Sequence, residues 1–365
     1  MKGLIIMMPR FNKEVLCKYL KTKLDKNEDE LFETNNNNPD CKIKSKEMKP
    51  FYYRDDERKN NFFYDLKACE DVKNYGGGAG QELEWKIRAI HSSSAMTYNI
   101  FSNNPFDKEK HRKVDIKEGK LPKGKYDLEY EKKLPALSNG SKANLDAFLK
   151  SDNNLIFFEM KMTEWLTGSP GKLSETYVSE IENGHTEKIP KEIAELFKKY
   201  YSVDKYSKEE KNGSSRKYYY PITNYFDVFQ IIKHILGIYN GFKNDLDITD
   251  GKYKKVVLVI GYWTIPSDLM VGEKKLHDIY DKDLGVDFVN RLKKQIGKYV
   301  GKNGIKCEME KEIREFCDSL KNVKELFFKE KEIDFSVIPM TVEDIVTCLD
   351  DKDKAKRNYL QKRYL

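Results

Sequence analysis

The sequence contains no run of about 18 apolar residues, the length a membrane-spanning helix requires, so no transmembrane segment is expected. Its opening apolar stretch covers only residues 3–8 before Pro9 and Arg10, shorter than a signal-peptide core, and secretion is not expected. Cysteine is scarce and scattered. Cys17, Cys41, Cys69, Cys307, Cys317 and Cys348 include no C-x-x-C pair, which argues against a disulfide framework or a zinc knuckle and points to reduced thiols in the cytoplasm. The sequons at Asn139 and Asn212 then carry no meaning. The five histidines (His91, His111, His185, His234, His277) lack metal-ligand spacing, which disfavours a zinc hydrolase. No internal repeat is visible.

What is present is a polar chain that can still bury a core. Of 365 residues, 35% are charged and 39% hydrophobic, and 23 Tyr with 19 Phe argue against disorder. The length fits one large domain or two modest ones. Lys and Arg exceed Asp and Glu by 67 to 60, a mild surplus that permits a polyanionic partner without requiring one.

Apolar spacing predicts a charged helix over residues 10–33, then an asparagine-rich break at 35–38. A second helix is predicted over 81–101, with Leu83, Ile87 and Ile90 on one stripe. Extended segments follow at 126–134, 144–149 and 155–163. Residues 167–221 carry few strand or helix signals. A strongly apolar helix is expected from about 224 to 239, a β-branched central strand at 256–263, charged helices at 288–300 and 307–327, and a last strand at 334–340. The order gives an α/β layer architecture, a mixed sheet flanked by helices. We divide it into an N-terminal helical and loop extension (1–75), a core (80–265) and a helical C-terminal addition with one more strand (266–365).

The chemistry concentrates in Asn144-Leu-Asp146 and Glu159-Met-Lys161. Alternation along a strand puts Glu159 and Lys161 on one face, at the end of the apolar run Leu155-Ile-Phe-Phe158. If 144–149 and 155–161 form a hairpin through residues 151–154, Asp146 lies opposite Glu159. Two carboxylates aimed at one point suit a hard divalent cation such as Mg²⁺, and a neighbouring lysine can act on the attacking water. The bland alternative is a surface ion pair, since E-x-K triplets arise by chance in a Lys/Glu-rich chain. Asp227, Gln230, His234 and Gly237 form a narrow polar stripe on the apolar helix. It is either a strip touching water or, with Gln230 and Lys233 or His234, the edge of the site, meeting a phosphate or orienting water.

These residues, with Glu84 on the preceding helix, resemble the PD-(D/E)xK nuclease superfamily, the restriction-endonuclease-like fold. The segments His91-Ser-Ser-Ser-Ala-Met-Thr-Tyr-Asn99, Ala143-Asn-Leu-Asp-Ala-Phe-Leu149 and Phe158-Glu-Met-Lys-Met-Thr-Glu-Trp165, with the Asp227/Gln230/His234 helix, are similar to a bacterial group of restriction endonucleases. The likeness covers about residues 80–265. It implies a Mg²⁺-dependent DNA endonuclease of restriction or defence type, with Mn²⁺ as a substitute. In that reading Asp146, Glu159 and the Met160 carbonyl bind the metal, Lys161 activates water, Gln230 assists, and Glu84 supplies an additional acid. Leu145 stands where the superfamily often has proline. Glu164 either joins the metal site or pairs with a surface base. Double-stranded DNA is the expected partner and a homodimer is left open. A nuclease-like module that binds nucleic acid or protein without cutting is the alternative.

The run Arg216-Lys217-Tyr-Tyr-Tyr-Pro221 could contact a nucleic-acid backbone or stack a base, or pack under the following helix. Gly119–Lys125 nearly matches a phosphate-binding loop, but Tyr126 stands where Ser or Thr would bind Mg²⁺. Gly76–Gly80 reads as a hinge, and Asp245, Asp247 and Asp250 miss the spacing of a calcium loop. Residues 352–363 read as a solvated helix end.

Overall fold

The computed structural model describes residues 10–24, 51–53, 59–64, 86–104, 107, 110–137, 142–168, 170–182, 189–211, 214–244, 253–266, 285–350 and 352–365. The asparagine-rich break, the glycine run at 76–80 and the acidic stretch 245–251 lie outside the described residues.

In chain order, helices α1 (Lys13–Thr22) and α2 (Ser93–Phe101) precede strands β1 (Lys113–Ile116), β2 (Gly124–Pro135), β3 (Lys142–Lys150) and β4 (Asn154–Lys161). One helical turn, Glu164–Thr167, leads into β5 (Leu173–Ser174), α3 (Glu175–Glu182), α4 (Lys191–Tyr200), β6 (Tyr201–Lys211) and β7 (Ser214–Pro221). Then come α5 (Val228–Asn244), β8 (Lys255–Tyr262), α6 (Val286–Val300), α7 (Ile305–Asp318), α8 (Lys321–Lys331), β9 (Asp334–Thr341), α9 (Val342–Cys348) and α10 (Lys354–Tyr364).

The main sheet has six strands in the order β1-β2-β3-β4-β8-β9. Pairing is antiparallel from β1 to β4 and parallel from β4 through β9, so the sheet is mixed as expected. Strand chemistry follows position. β2, nearer the edge, alternates exposed and buried residues over most of its length, whereas β8, between two parallel partners, buries every position after Lys255. Helix α5 lies across β2 and β3 and supplies Phe229, Ile232, Ile235 and Leu236 to one core that runs from Phe11 to Tyr364. The carboxyl ends of β4, β8 and β9 share one edge, the usual place for a ligand site in an α/β sheet.

Four expectations change. The helix predicted from 81 does not run through. Residues 86–88 make a 3₁₀ turn, Ala89 bridges to Tyr52, and α2 starts only after Ser92, whose side chain accepts the Ala95 N–H. The stretch 167–221 holds α3, α4 and a second, three-stranded sheet β5-β7-β6. The helix predicted over 307–327 is two, broken at Ser319 and Leu320, which aims Phe327 onto Phe335 with ring centroids 4.2 Å apart. The C-terminal helix is docked rather than solvated. Leu360, Arg363 and Tyr364 are buried, and Lys356 donates to the Ser102 carbonyl at 2.6 Å.

Candidate active site

Three acidic residues stand in a row across β2, β3 and β4. Tyr130↔Ala147 and Lys132↔Leu145 bracket Glu131 beside Asp146, and Ala147↔Phe158 carries the register on to Glu159. The hairpin thus brings Asp146 and Glu159 onto neighbouring strands, and both face one cavity of about 680 Å³. Glu131, Asn144, Lys161, Glu164 and Gln230 also line it.

Glu159 is 2% exposed and both its oxygens are engaged. Lys161 Nζ donates to Oε1 at 2.6 Å and His234 Nε2 donates to Oε2 at 2.8 Å. Burial alone would raise the carboxyl pKa, but Lys161 and His234 outweigh it and hold the group down to about 2. Burial likewise works against the Lys161 ammonium. The carboxylates of Glu159, Glu164 and Asp146 together overcome it and raise the lysine above its ordinary value. Asp146 goes the other way. Burial, then repulsion from Glu159 and Glu131, pushes its pKa well above the usual range, although its Oδ2 accepts the Met160 N–H at 2.6 Å. Two neighbouring carboxyls with opposite shifts form a site of uneven proton affinity, the pattern of functional clusters.

Glu164 is fixed differently. Its Oε2 accepts the N–H groups of Met162 and Thr163 at 2.8 and 2.9 Å, and its Oε1 accepts Ser93 Oγ at 2.9 Å. The carboxylate thereby ties the end of β4 to the start of α2 while adding negative charge beside Lys161.

On the polar stripe, His234 and Gly237 face the sheet, while Asp227 and Gln230 are half-buried. Gln230 reaches the cavity and its N–H is capped by Asp227 Oδ1 at 3.2 Å. His234 is 3% exposed, and among the described residues its Nδ1 has no hydrogen-bond partner, consistent with a ring proton on Nε2. Gly237 sits where a Cβ would meet Ala143 Cβ at 2.5 Å, so helix and sheet approach closely there.

Other expected residues lie elsewhere. Lys233 stands 4.7 Å over the Tyr177 ring on α3, away from the acidic row, and burial lowers its pKa. Lys217 lies on the small sheet at 4.1 and 4.7 Å from the Tyr206 and Tyr219 rings. Arg216 pairs through its backbone with Glu209 on the same sheet. Glu84 lies outside the described residues. Among the described residues, no three His, Cys, Asp or Glu side chains form a group that could hold a metal ion by themselves.

Sequence reading misses Glu131 altogether and gives Asn144, though within the segment it singles out, no role. Glu131 sits mid-strand with φ 53°, a left-handed backbone that a glutamate adopts only at a cost. Nothing in its neighbours announces this, and only the register to Asp146 reveals it. Asn144, two residues before Asp146, shares its face by strand periodicity, and its Oδ1 is buried without a hydrogen-bond partner among the described residues.

A protein-family comparison supplies the remaining observation. The family model described as Restriction Endonuclease associating with ARP matches residues 25–263, more than half of the chain. The chain belongs to this restriction-endonuclease-like family. No curated protein and no solved structure matches it. The family region ends one residue past β8, so it contains the acidic row, α5 and the small sheet, whereas α6 to α10 and β9 lie beyond it. No helix among the described residues is long and apolar enough to cross a membrane.

Proposed function

We propose that this protein is a Mg²⁺-dependent endonuclease that hydrolyses phosphodiester bonds in double-stranded DNA, in a restriction or defence role, with Mn²⁺ as a substitute ion. One observation carries the proposal: Glu131, Asp146 and Glu159 stand side by side on three strands with Lys161 in the same cavity. Membership in a restriction-endonuclease family makes nucleic acid the natural substrate.

The donor set is all oxygen and suits a hard cation. Asp146, Glu159 and the Met160 carbonyl would hold it, with Glu131 adjacent to them. Such an ion neutralises phosphate oxygens and lowers the pKa of a bound water. The chain's own groups do the rest. Lys161, kept protonated by three carboxylates, donates to a water or a phosphate oxygen. His234 fixes the Glu159 carboxylate from behind, and Gln230 offers an amide at the cavity wall.

The test is plasmid incubation with Mg²⁺, with and without chelator. Wild type should nick or linearise the plasmid, chelator should stop it, and Glu159→Ala or Lys161→Ala should slow cleavage at least a hundredfold while leaving binding in place. Undiminished cutting by Lys161→Ala would remove its assigned role.

A second reading, a nuclease-like module that binds nucleic acid without cutting, draws on the closed Glu159–Lys161–His234 pairing. It predicts a gel shift of DNA with no nicking at any divalent-ion concentration.

A further inference from the structure

Behind the acidic row lies a second cavity, of about 240 Å³, that shares Glu159, Lys161 and Glu164 with the first. These three side chains partition one space into a polar chamber and an apolar one. The polar chamber holds the acidic row. The apolar chamber is walled by aromatic rings and branched aliphatic side chains, and its volume falls below the 300–1,000 Å³ of pockets for drug-sized ligands. It suits a single flat heterocycle.

Its walls are fixed. Trp165 Nε1 donates to the Trp263 carbonyl at 2.9 Å, and the Tyr262 ring meets the indole edge-on at 6.2 Å. On the other side, Tyr225 and Phe226 are held by Glu312 of α7, whose carboxylate accepts the N–H groups of Asn224, Tyr225 and Phe226 at 2.6, 3.0 and 2.9 Å. Met309 and Ile313, also from α7, complete the lining. The pocket therefore exists only because α7, outside the region shared with the family, packs against the site. At the rim stands Asp227, whose Oδ1 caps α5, leaving Oδ2 to accept from an N–H edge.

We infer that this chamber receives one nucleobase, turned out of the stack, from a nucleotide whose phosphate lies at the acidic row. Enzymes that extrude a base seat it between aromatic and apolar side chains and read its edge by hydrogen bonds. Here the rings supply the stacking surfaces and Asp227 the acceptor, for a ring or exocyclic N–H of the kind each of the four bases carries. Lys161, at the partition, lies between base and phosphate. The inference rests on the nuclease reading for the identity of the phosphate, but its test does not depend on strand cleavage.

The test uses deoxynucleoside 5′-monophosphates, which contain no bond for an endonuclease to cut. Calorimetric titration of the full chain in Mg²⁺ with dCMP and dAMP is compared with deoxyribose 5-phosphate, which has the phosphate but no base, and with phenyl phosphate. We expect the nucleotides to bind at least tenfold tighter than either control. Ile231→Trp, which fills the chamber, should reduce them to the level of deoxyribose 5-phosphate. Should Ile231→Trp fail to fold, Asp227→Ala provides the same comparison, with loss of the margin over phenyl phosphate alone. Equal binding of dCMP and deoxyribose 5-phosphate, no binding of either, or phenyl phosphate binding as well as dCMP would each overturn the inference. Plasmid nicking is run in parallel. A chain that nicks plasmid but ignores the base refutes the chamber's role alone, and one that takes the base but never cuts refutes the nuclease reading alone.

Discussion

Glu131 holds a carboxylate beside Asp146 at the expense of a left-handed backbone within a strand. A β-carbon in that conformation costs about 1–2 kcal/mol. Replacing Glu131 by Ala or by Gly removes the same carboxylate, but only Gly relieves the backbone. We expect both variants to lose cleavage alike, and Glu131→Gly to exceed Glu131→Ala in stability by about 1 kcal/mol in urea titration. Equal stabilities would show that the backbone there is unstrained. A second residue with a measurable signature is His91, buried at the cavity's edge with its Nδ1 3.5 Å from Cys17 Sγ. Burial, helped by the Lys13 ammonium, lowers its pKa to about 3, below the 6.5 of an exposed histidine. Between pH 6.5 and 3 the unfolded chain therefore binds a proton that the folded chain does not. The neutral ring's contribution is complete above pH 6.5 and declines as pH falls, by about 1.4 kcal/mol per pH unit for one proton. Urea midpoints measured from pH 7 to pH 5 should drop less steeply for His91→Gln than for wild type. Parallel curves would exclude a buried neutral imidazole.

At the scale of elements, the meeting of α5 with β2 and β3 decides whether Gln230 and His234 reach the acidic row. Gly237→Ala gains about 1 kcal/mol in helix propensity. Against that, the new methyl would stand 2.5 Å from Ala143 Cβ and 3.4 Å from Leu134 Cβ. Overpacking of this kind costs about 1–3 kcal/mol, and the Ala143 methyl is fixed to its strand and cannot swing aside. Loss should prevail, read as a lower denaturation midpoint with slower cleavage as His234 is pushed from Glu159. A Gly237→Ala variant more stable than wild type would mean that the helix can lift freely. This same crossing shows what was legible in the sequence. Strands β4 and β8 and helix α5 announce themselves by dense apolar runs, and a hairpin through residues 151–154, expected in the sequence and present in the fold, is what pairs Asp146 with Glu159. The small sheet was not legible. Its strands, such as Ser-Ser-Arg-Lys-Tyr-Tyr-Tyr-Pro, hold no dense aliphatic run, and their extension shows only in their pairing with each other. The early start predicted for α2 fails for a related reason. Ile87 and Ile90 are buried as helix spacing suggests, yet Ala89 between them bridges to Tyr52.

For the whole molecule, the elements beyond the family region complete the core. β9 pairs with β8 at all eight positions from Lys255↔Asp334 to Tyr262↔Thr341, and Trp263 Nε1 donates to the Tyr364 carbonyl at 2.7 Å. A chain cut after residue 266 would leave the most apolar strand of the sheet as an open edge, which favours association over folding. It should show no cooperative thermal transition by circular dichroism. A cooperative melt within a few degrees of the full chain would demonstrate that residues 267–365 are dispensable. Sequence reading places one further strand there but does not foresee α7 as a wall of the site, because Glu312 looks like one more surface charge until its three backbone partners are seen.

The parallel neighbours β4 and β8 require a crossover, and α5, lying across β2 and β3, belongs to it. Residues 168–222, carrying α3, α4 and the small sheet, are therefore a detour taken between two anchored points. That detour still touches the site, since its Phe197 ring meets Phe229 of α5 at 6.5 Å and its Pro170 and Gly171 line the second chamber. An exchange of the detour must therefore keep those contacts if Gln230 and His234 are to stay at the acidic row.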